Sequence, residues 1–256
     1  MKATLTVLGS GTSMGVPTIG CNCTVCSSSD PRDRRTRPSV LIQYADKVVL
    51  IDTTPDFREQ AIREKIRQLD AVLYTHAHAD HILGLDDLRP LSYHRPNKIP
   101  LYARPEAAAL LRNMFRYIFD ADYKFGGLAQ VELKTIDGPI ELFGAQFDPV
   151  KIMHGDAAII GFRFGATAYL TDFSEIPEES FAQLEDLDIL FLDALRHKPH
   201  PTHSTVENSL RIVERVRPKR AFFTHICHDL PHEATNASLP PHVRLSYDGM
   251  KLEFEI

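Results

Sequence analysis

The segment Thr75-His76-Ala77-His78-Ala79-Asp80-His81 places four metal-ligand side chains within six positions. His76 and His78 are two residues apart, so on an extended chain they leave the backbone on the same side. A break after His78 turns Asp80 and His81 toward a neighbouring point. Four such ligands suit two adjacent divalent metals better than one. His154, Asp172 and His225 follow the apolar segments 146–152, 168–171 and 221–224. In each case a strand delivers one ligand as it leaves its sheet. That recurring placement carries more weight than any single histidine.

A second cluster is Gly20-Cys21-Asn22-Cys23-Thr24-Val25-Cys26. Its cysteines are too close together to staple distant parts of a fold, and in a reducing compartment such a cluster binds metal before it forms disulfides. A structural zinc wants four closed ligands of cysteine and histidine. His228, three residues after His225, is the natural fourth; Cys227 competes with it on spacing alone.

A third stretch, 195–203, carries His197, His200 and His203 between a strand and a capped helix. Two adjacent cations make hydroxide available near neutral pH and polarise the oxygen on which charge builds as the hydroxide attacks. What remains is a proton for the leaving group. An imidazole suits that task because its pKa lies near the working pH. His200 and His203 are placed for it, and His197 less well.

The elements that must position these groups alternate without a repeat. Residues 4–8 form a strand ending in the glycine loop 9–15. That loop lacks the Gly-Lys-Ser/Thr ending of a triphosphate loop and is expected to turn tightly near the metals. Segments 39–44 and 47–52 form a hairpin turning at Ala45-Asp46. Thr54 caps a helix with Pro55 at its first position, and Phe57, Ala61, Ile62 and Ile66 follow at helical spacing. The pattern predicts helices over 106–119, 177–184 and from Ser204 to before Pro218, the last opened by a capping box. Strands are expected at 71–74, 131–136, 140–143, 146–152, 159–164, 168–171, 188–192, 221–224, 243–247 and 251–256. No low-complexity linker divides the chain, so one α/β (α+β) domain over 1–256, two packed sheets flanked by helices, fits best.

Composition narrows the partners. The 256 residues carry 29 basic and 34 acidic side chains, a net charge of −5. That balance argues against a nucleic-acid coat protein but not against a small phosphate-bearing substrate. No apolar run approaches a membrane span, and the opening residues do not form a signal peptide, so a cytoplasmic protein is expected. Arg89, His94 and Arg95 are candidates either for contacting substrate or for a solvated loop. Arg32, Arg34, Arg35 and Arg37, relieved by Asp33, form an exposed or packing arm.

His-x-His-x-Asp-His followed by a later His, Asp and His resembles the metallo-β-lactamase-fold hydrolases. The resemblance implies an αββα sandwich with a dinuclear centre at one sheet edge. By it, His76, His78 and His154 hold one metal, Asp80, His81 and His225 the other, and Asp172 bridges them. Asp52 either orients a ligand from behind or is a strand-end turn residue. The glycine loop, the cysteine triplet, Thr224-His225-Ile226-Cys227-His228 and the tail Tyr247-Asp248-Gly249-Met250 occur together. This set resembles the branch containing phosphoribosyl cyclic phosphodiesterases.

That branch implies a structural zinc on Cys21, Cys23, Cys26 and His228, two active-site metals (manganese or zinc), a homodimer, and a general acid at His203. The candidate catalytic residues are thus His203, His200 and Asp80. The expected activity is hydrolysis of a small cyclic or diester phosphate. The alternatives are a nuclease, thioesterase or lactonase on the same fold, or a non-catalytic zinc-binding protein. His232-Glu233-Ala234-Thr235 matches a motif of the tRNA-processing nucleases of this superfamily, but there it precedes the last metal histidine and here it follows His225. The stretch 115–127, with Tyr117, Tyr123 and Phe125, has no counterpart in the branch and is expected to form a lid or a dimer contact.

Overall fold

A computed structural model describes residues 1–256 apart from His94, Ala121, Lys124 and Phe125. The expectations placed on His94 and Phe125 therefore lie outside the described residues. The strands, in chain order, are β1 (Lys2–Gly9), β2 (Ser39–Tyr44), β3 (Lys47–Ile51), β4 (Ala71–Leu73), β5 (Ile99–Ala103), β6 (Val131–Thr135), β7 (Ile140–Leu142), β8 (Ala145–His154), β9 (Ala157–Phe164), β10 (Thr167–Leu170), β11 (Ile189–Asp193), β12 (Arg220–Thr224), β13 (Val243–Leu245) and β14 (Lys251–Glu255). They form two seven-stranded sheets, ordered β14-β1-β2-β3-β4-β5-β6 and β13-β12-β11-β10-β9-β8-β7.

Each sheet is antiparallel on one side and parallel on the other. Strands β3 to β6 run parallel, as do β10 to β13. Parallel strands are buried on both faces, so they read as continuous apolar runs whose alternate residues serve different layers. Val49, Ile51 and Leu73 point between the sheets with Phe162, Tyr169 and Phe191. Leu50 and Val72 point outward beneath Phe57, Leu85, Leu88 and Leu111, and Leu190 and Leu192 point outward beneath Val206, Ile212 and Val213. The result is helix, sheet, sheet, helix. Truncating one of the buried central rings costs about 3–5 kcal/mol.

The helices are α1 (Phe57–Arg63), α2 (Ala79–Ile82), α3 (Arg89–Ser92), α4 (Pro105–Met114), α5 (Arg116–Phe119), α6 (Val206–Val216) and α7 (His232–Ser238). No helix among the described residues is long and apolar enough to cross a membrane. Several boundaries differ from the sequence expectation. The helix over 106–119 breaks at Phe115, whose φ of −108° and ψ of 39° leave the helical region. Segment Glu178–Leu184 is a 3-10 helix. The cap of α6 is Thr205, whose hydroxyl accepts from Asn208 N, while Ser204 pairs with Ser209. Helix α1 starts at Phe57, and the Thr54 hydroxyl instead accepts from Asp56 N, leaving Pro55 outside. At the far edge of the first sheet, β1 pairs with β14, and Met1 and Ile256 bond each other through both backbone groups.

Candidate metal centre

Because β8, β10, β11 and β12 run in one direction, their final residues meet at one edge of the second sheet. The ends of β3 and β4 meet them from the first sheet. Asp52, Asp172 and His225 leave their strands with φ of +67°, +61° and +57°. This left-handed conformation is uncommon outside glycine, is most tolerated by Asp, Asn and His, and gathers at functional sites.

Behind the ligands lies a fixed set of hydrogen bonds. The Asp52 carboxylate accepts from Thr75 N at 2.9 Å, from the Thr75 hydroxyl at 2.8 Å and from His81 Nδ1 at 2.7 Å. His76 Nδ1 meets the Thr75 hydroxyl at 3.1 Å, and His154 Nδ1 donates to the Asp172 carbonyl at 2.8 Å. Each contact engages Nδ1 and leaves Nε2 for the cleft, the arrangement that orients a metal-binding imidazole. Asp52 thus orients His81 rather than serving only as a strand-end turn.

In the cleft, His76 Nε2 lies 3.0 Å from Asp172 Oδ2, and His81 Nε2 lies 3.2 Å from the same oxygen and 3.3 Å from Asp80 Oδ2. His225 Nε2 faces Asp80 at 3.6 Å and Asp172 at 3.7 Å. Yet His76 Nε2, His81 Nε2, Asp80 Oδ2, Asp172 Oδ1 and both His225 nitrogens are buried without a hydrogen-bond partner. Unsatisfied buried polar groups cost about 1–3 kcal/mol each, so this many in one place fits a cation site. Asp80, His81, Asp172 and His225 form one group of converging ligand atoms, and His76, His78 and Asp172 form another. Asp172 belongs to both. His154 stands beside the second group, its ring 5.0 Å from that of His78 and 5.7 Å from that of His76. A donor set of imidazoles and carboxylates suits divalent metals such as zinc.

The electrostatics match. Burial alone would raise Asp172 and Asp80, but the facing imidazoles hold both carboxylates well below the usual range. Burial, with the neighbouring His81, pushes His76 down to about 4, keeping that imidazole neutral.

His203 lies at the same edge. Its Nδ1 bonds Asp193 Oδ2 at 3.0 Å and lies 2.9 Å from Asp172 Oδ1. Burial would depress it, but the two carboxylates overcome that and push it up to about 10. His200 lies beside it, the rings tilted with centroids 4.7 Å apart, its Nδ1 turned back to Thr202. His197 is over half exposed and bonds Glu207, outside the cleft. Asp193 was missed in the sequence because the strand was read only to Leu192. The signal was there: it too is an acidic residue ending an apolar strand.

The cysteine loop closes on His228. Its Nδ1 lies 3.2 Å from Cys21 Sγ, 3.5 Å from Cys23 Sγ and 3.4 Å from Cys26 Sγ. Cys227 is turned away, its sulfur accepting from Asp229 N. The amide of Cys26 draws the Cys23 thiol down to about 6, while burial pushes Cys26 up to about 11. A cation among the sulfurs would favour the thiolate at all three.

Other candidates lie elsewhere. Arg89 pairs with Asp86 and Arg95 with Asp70, the latter just before β4 and so opposite its metal-bearing end. The basic stretch is a packing arm: Arg32 pairs with Asp30 and Glu233, Arg37 with Asp56, and Arg35 is fully buried against Asp33. His232 is buried edge-on to Tyr247, outside the convergent ligand groups.

Residues 47–226 match the β-lactamase superfamily domain. The chain spans about half the length of the curated relatives it matches; an octanoyltransferase of Porphyromonas gingivalis is 39% identical over 250 residues, covering 96% of this chain and 50% of that one. Among solved structures, a diphosphatase from the PhnP family is 61% identical, with a TM-score of 0.94 over 99% of this chain and 98% of its own. Zn2+-bound PqqB from Methylobacterium extorquens shares the fold at 20% identity, with a TM-score of 0.79 over 97% and 99%. The chain belongs to the β-lactamase superfamily, and within it to the PhnP-like proteins.

Proposed function

We propose that this cleft is the active site of a metal-dependent phosphodiesterase acting on a small phosphate ester, either a cyclic or diester phosphate or a diphosphate linkage. The observation that carries it is an imidazole, His203, held by Asp193 beside the ligand groups that share Asp172. The diphosphatase relative supports the phosphate class.

In this reading one domain spans 1–256. His76, His78 and His154 hold one cation, Asp80, His81 and His225 a second, with Asp172 between them; zinc or manganese satisfies the donors. Cys21, Cys23, Cys26 and His228 hold a third, structural zinc, in keeping with four free cysteines and a reducing cytoplasm. Cations in the cleft supply charge to polarise a phosphoryl oxygen and to bring a water's pKa toward neutrality. Asp52 and Thr75 keep the ligand imidazoles oriented. With Nδ1 engaged by Asp193, His203 presents Nε2, and its proton passes to the leaving oxygen as the P–O bond breaks. His200, beside it, is the second candidate donor. Exposed Leu110, Met114 and Tyr117 on α4 and α5 offer an apolar face to a second copy of the chain.

The test compares wild type with His203→Ala on an alkyl phosphodiester, bis(p-nitrophenyl) phosphate and a diphosphate-bridged ester, with metal content measured on each sample. The expected loss on the alkyl diester is about 10²–10⁴-fold at unchanged metal content. It is smaller on the p-nitrophenyl ester, whose leaving group needs little proton help. Full metal loading with no turnover of any phosphate substrate would overturn the proposal and direct the search to thioesters, lactones and oligonucleotides.

A further inference from the structure

The turn following β12 carries a ligand of the cleft and a ligand of the cysteine group: His225 faces the cleft, and three residues on His228 faces the sulfurs. Much of what fixes this turn comes from Arg35. The Arg35 side chain is fully buried. Its Nη1 donates to the Cys227 carbonyl at 2.9 Å, and its Nη2 to the Leu230 carbonyl at 2.7 Å and to Asp33 Oδ1 at 3.0 Å. The same Asp33 oxygen accepts from His232 N at 2.8 Å. One ion pair thus binds backbone groups of residues 227, 230 and 232. Arg35 is itself anchored, since its backbone exchanges both hydrogen bonds with Val16 at 2.7 and 2.8 Å. On the other side of the turn, Ile226 N donates to Ser10 O at 2.9 Å and Ile226 O accepts from Thr12 N at 3.1 Å.

A guanidinium can serve two carbonyls and a carboxylate at once, which an ammonium cannot do in the same geometry. Burying such a pair is weak evidence for stability, because desolvation offsets the attraction. Here its contacts fall at residues 227, 230 and 232, bracketing His228 and starting two residues beyond the left-handed ligand residue His225. We propose that Arg35 and Asp33 are a positioning pair that sets His225 against Asp80 and Asp172. Through the same turn they set His228 against the sulfurs, and so govern cation affinity at the cysteine group and on the Asp80/His81/His225 side of the cleft, leaving the His76/His78/His154 side untouched. This rests on the reading that the cleft holds two cations.

Arg35→Lys tests it, since the charge and its Asp33 partner remain while one carbonyl contact is lost. Metal-free protein is titrated with Co2+. Thiolate charge-transfer absorption reports the cysteine group, calorimetry reports the cleft, and His225→Ala identifies which cleft equivalent depends on that side. The expected result is that the His225-dependent equivalent weakens about tenfold or more. The thiolate band weakens with it, because the same contacts bracket His228, while the other cleft equivalent and the far-UV circular dichroism stay as in wild type. Unchanged affinity at both cleft equivalents, or equal weakening of all sites with loss of circular dichroism, would overturn it. Should R35K not fold, Asp33→Asn is read by the same criteria, with a smaller effect in the same direction. Binding is measured without substrate. An inactive wild type that still shows this pattern would sink the proposed function and leave the positioning pair standing.

Discussion

The two metal-ligand groups are built in opposite ways. The cleft draws its ligands from positions 76 to 225, most delivered by strand ends and Asp80 and His81 by the short helix α2, and holds their imidazoles from behind through Asp52, Thr75 and the Asp172 carbonyl. The cysteine group takes three of its four ligands from six residues on a loop without strand or helix, and Cys21 and Cys23 are only partly buried. In the first, the sheets impose the geometry and a cation finds it ready. In the second, the ligands sit on a loop held by few contacts besides a small Val16, Val25 and Cys26 cluster, so on the proposed reading binding and local folding are one event. On the proposed reading, preorganisation therefore comes from the sheets at the cleft and from the metal at the cysteine group.

This contrast can be broken or sharpened. Asp193→Ala should leave the cleft cations in place while unfixing His203. The expected loss in kcat on an alkyl phosphodiester is about 10²-fold at unchanged metal content; metal loss instead would show that the cleft is not independently built. Cys23→Ser should release one metal equivalent, open residues 18–30 to protease nicking and lower Tm by about 4–8 °C, corresponding to about 2 kcal/mol for a chain of this size. His78→Ala should lose cleft metal without new nicking there. Equal nicking in both variants would erase the distinction.

The smallest effect concerns acid. Burial, with Arg32 and Arg35 nearby, pushes His232 down to about 4. The unfolded chain takes up that proton near pH 6.5 and the folded chain only near 4, so the group costs nothing above pH 6.5. It destabilises the fold increasingly as pH falls through that window, by up to about 1.4 kcal/mol per unit. His232→Gln should flatten this part of the stability curve, measured by urea unfolding at pH 7 and pH 5.5. An unchanged slope would assign the acid sensitivity to other groups.

Much of the cleft was legible because its logic is one-dimensional: an apolar run, then a ligand, repeated at 76, 154, 172 and 225. The two-faced burial of β3, β4, β11 and β12 was legible for the same reason. The hairpin turn at Ala45-Asp46 formed as expected, with both residues at positive φ. What escaped depends on contacts between distant segments. Nothing local marks Arg35 as buried, because a basic run relieved by one Asp has the composition of a solvated arm. Thr205 outcompeted Ser204 as the cap of α6 because the Ser204 hydroxyl was engaged by Ser209. Spacing could not choose between Cys227 and His228, and the direction of the turn after β12 chose His228.

The pairing of Met1 with Ile256 has a consequence for how this chain can be rewired. The two ends lie side by side at the start of β1, whereas the glycine loop that meets the His225 turn lies at its finish. A short linker could therefore join them, and the chain be reopened at the exposed tip of the β2–β3 hairpin, with every strand keeping its neighbours. The same arrangement places residues 1 and 256 on the rim opposite the ligands, where a cargo fused by design would not crowd the cleft.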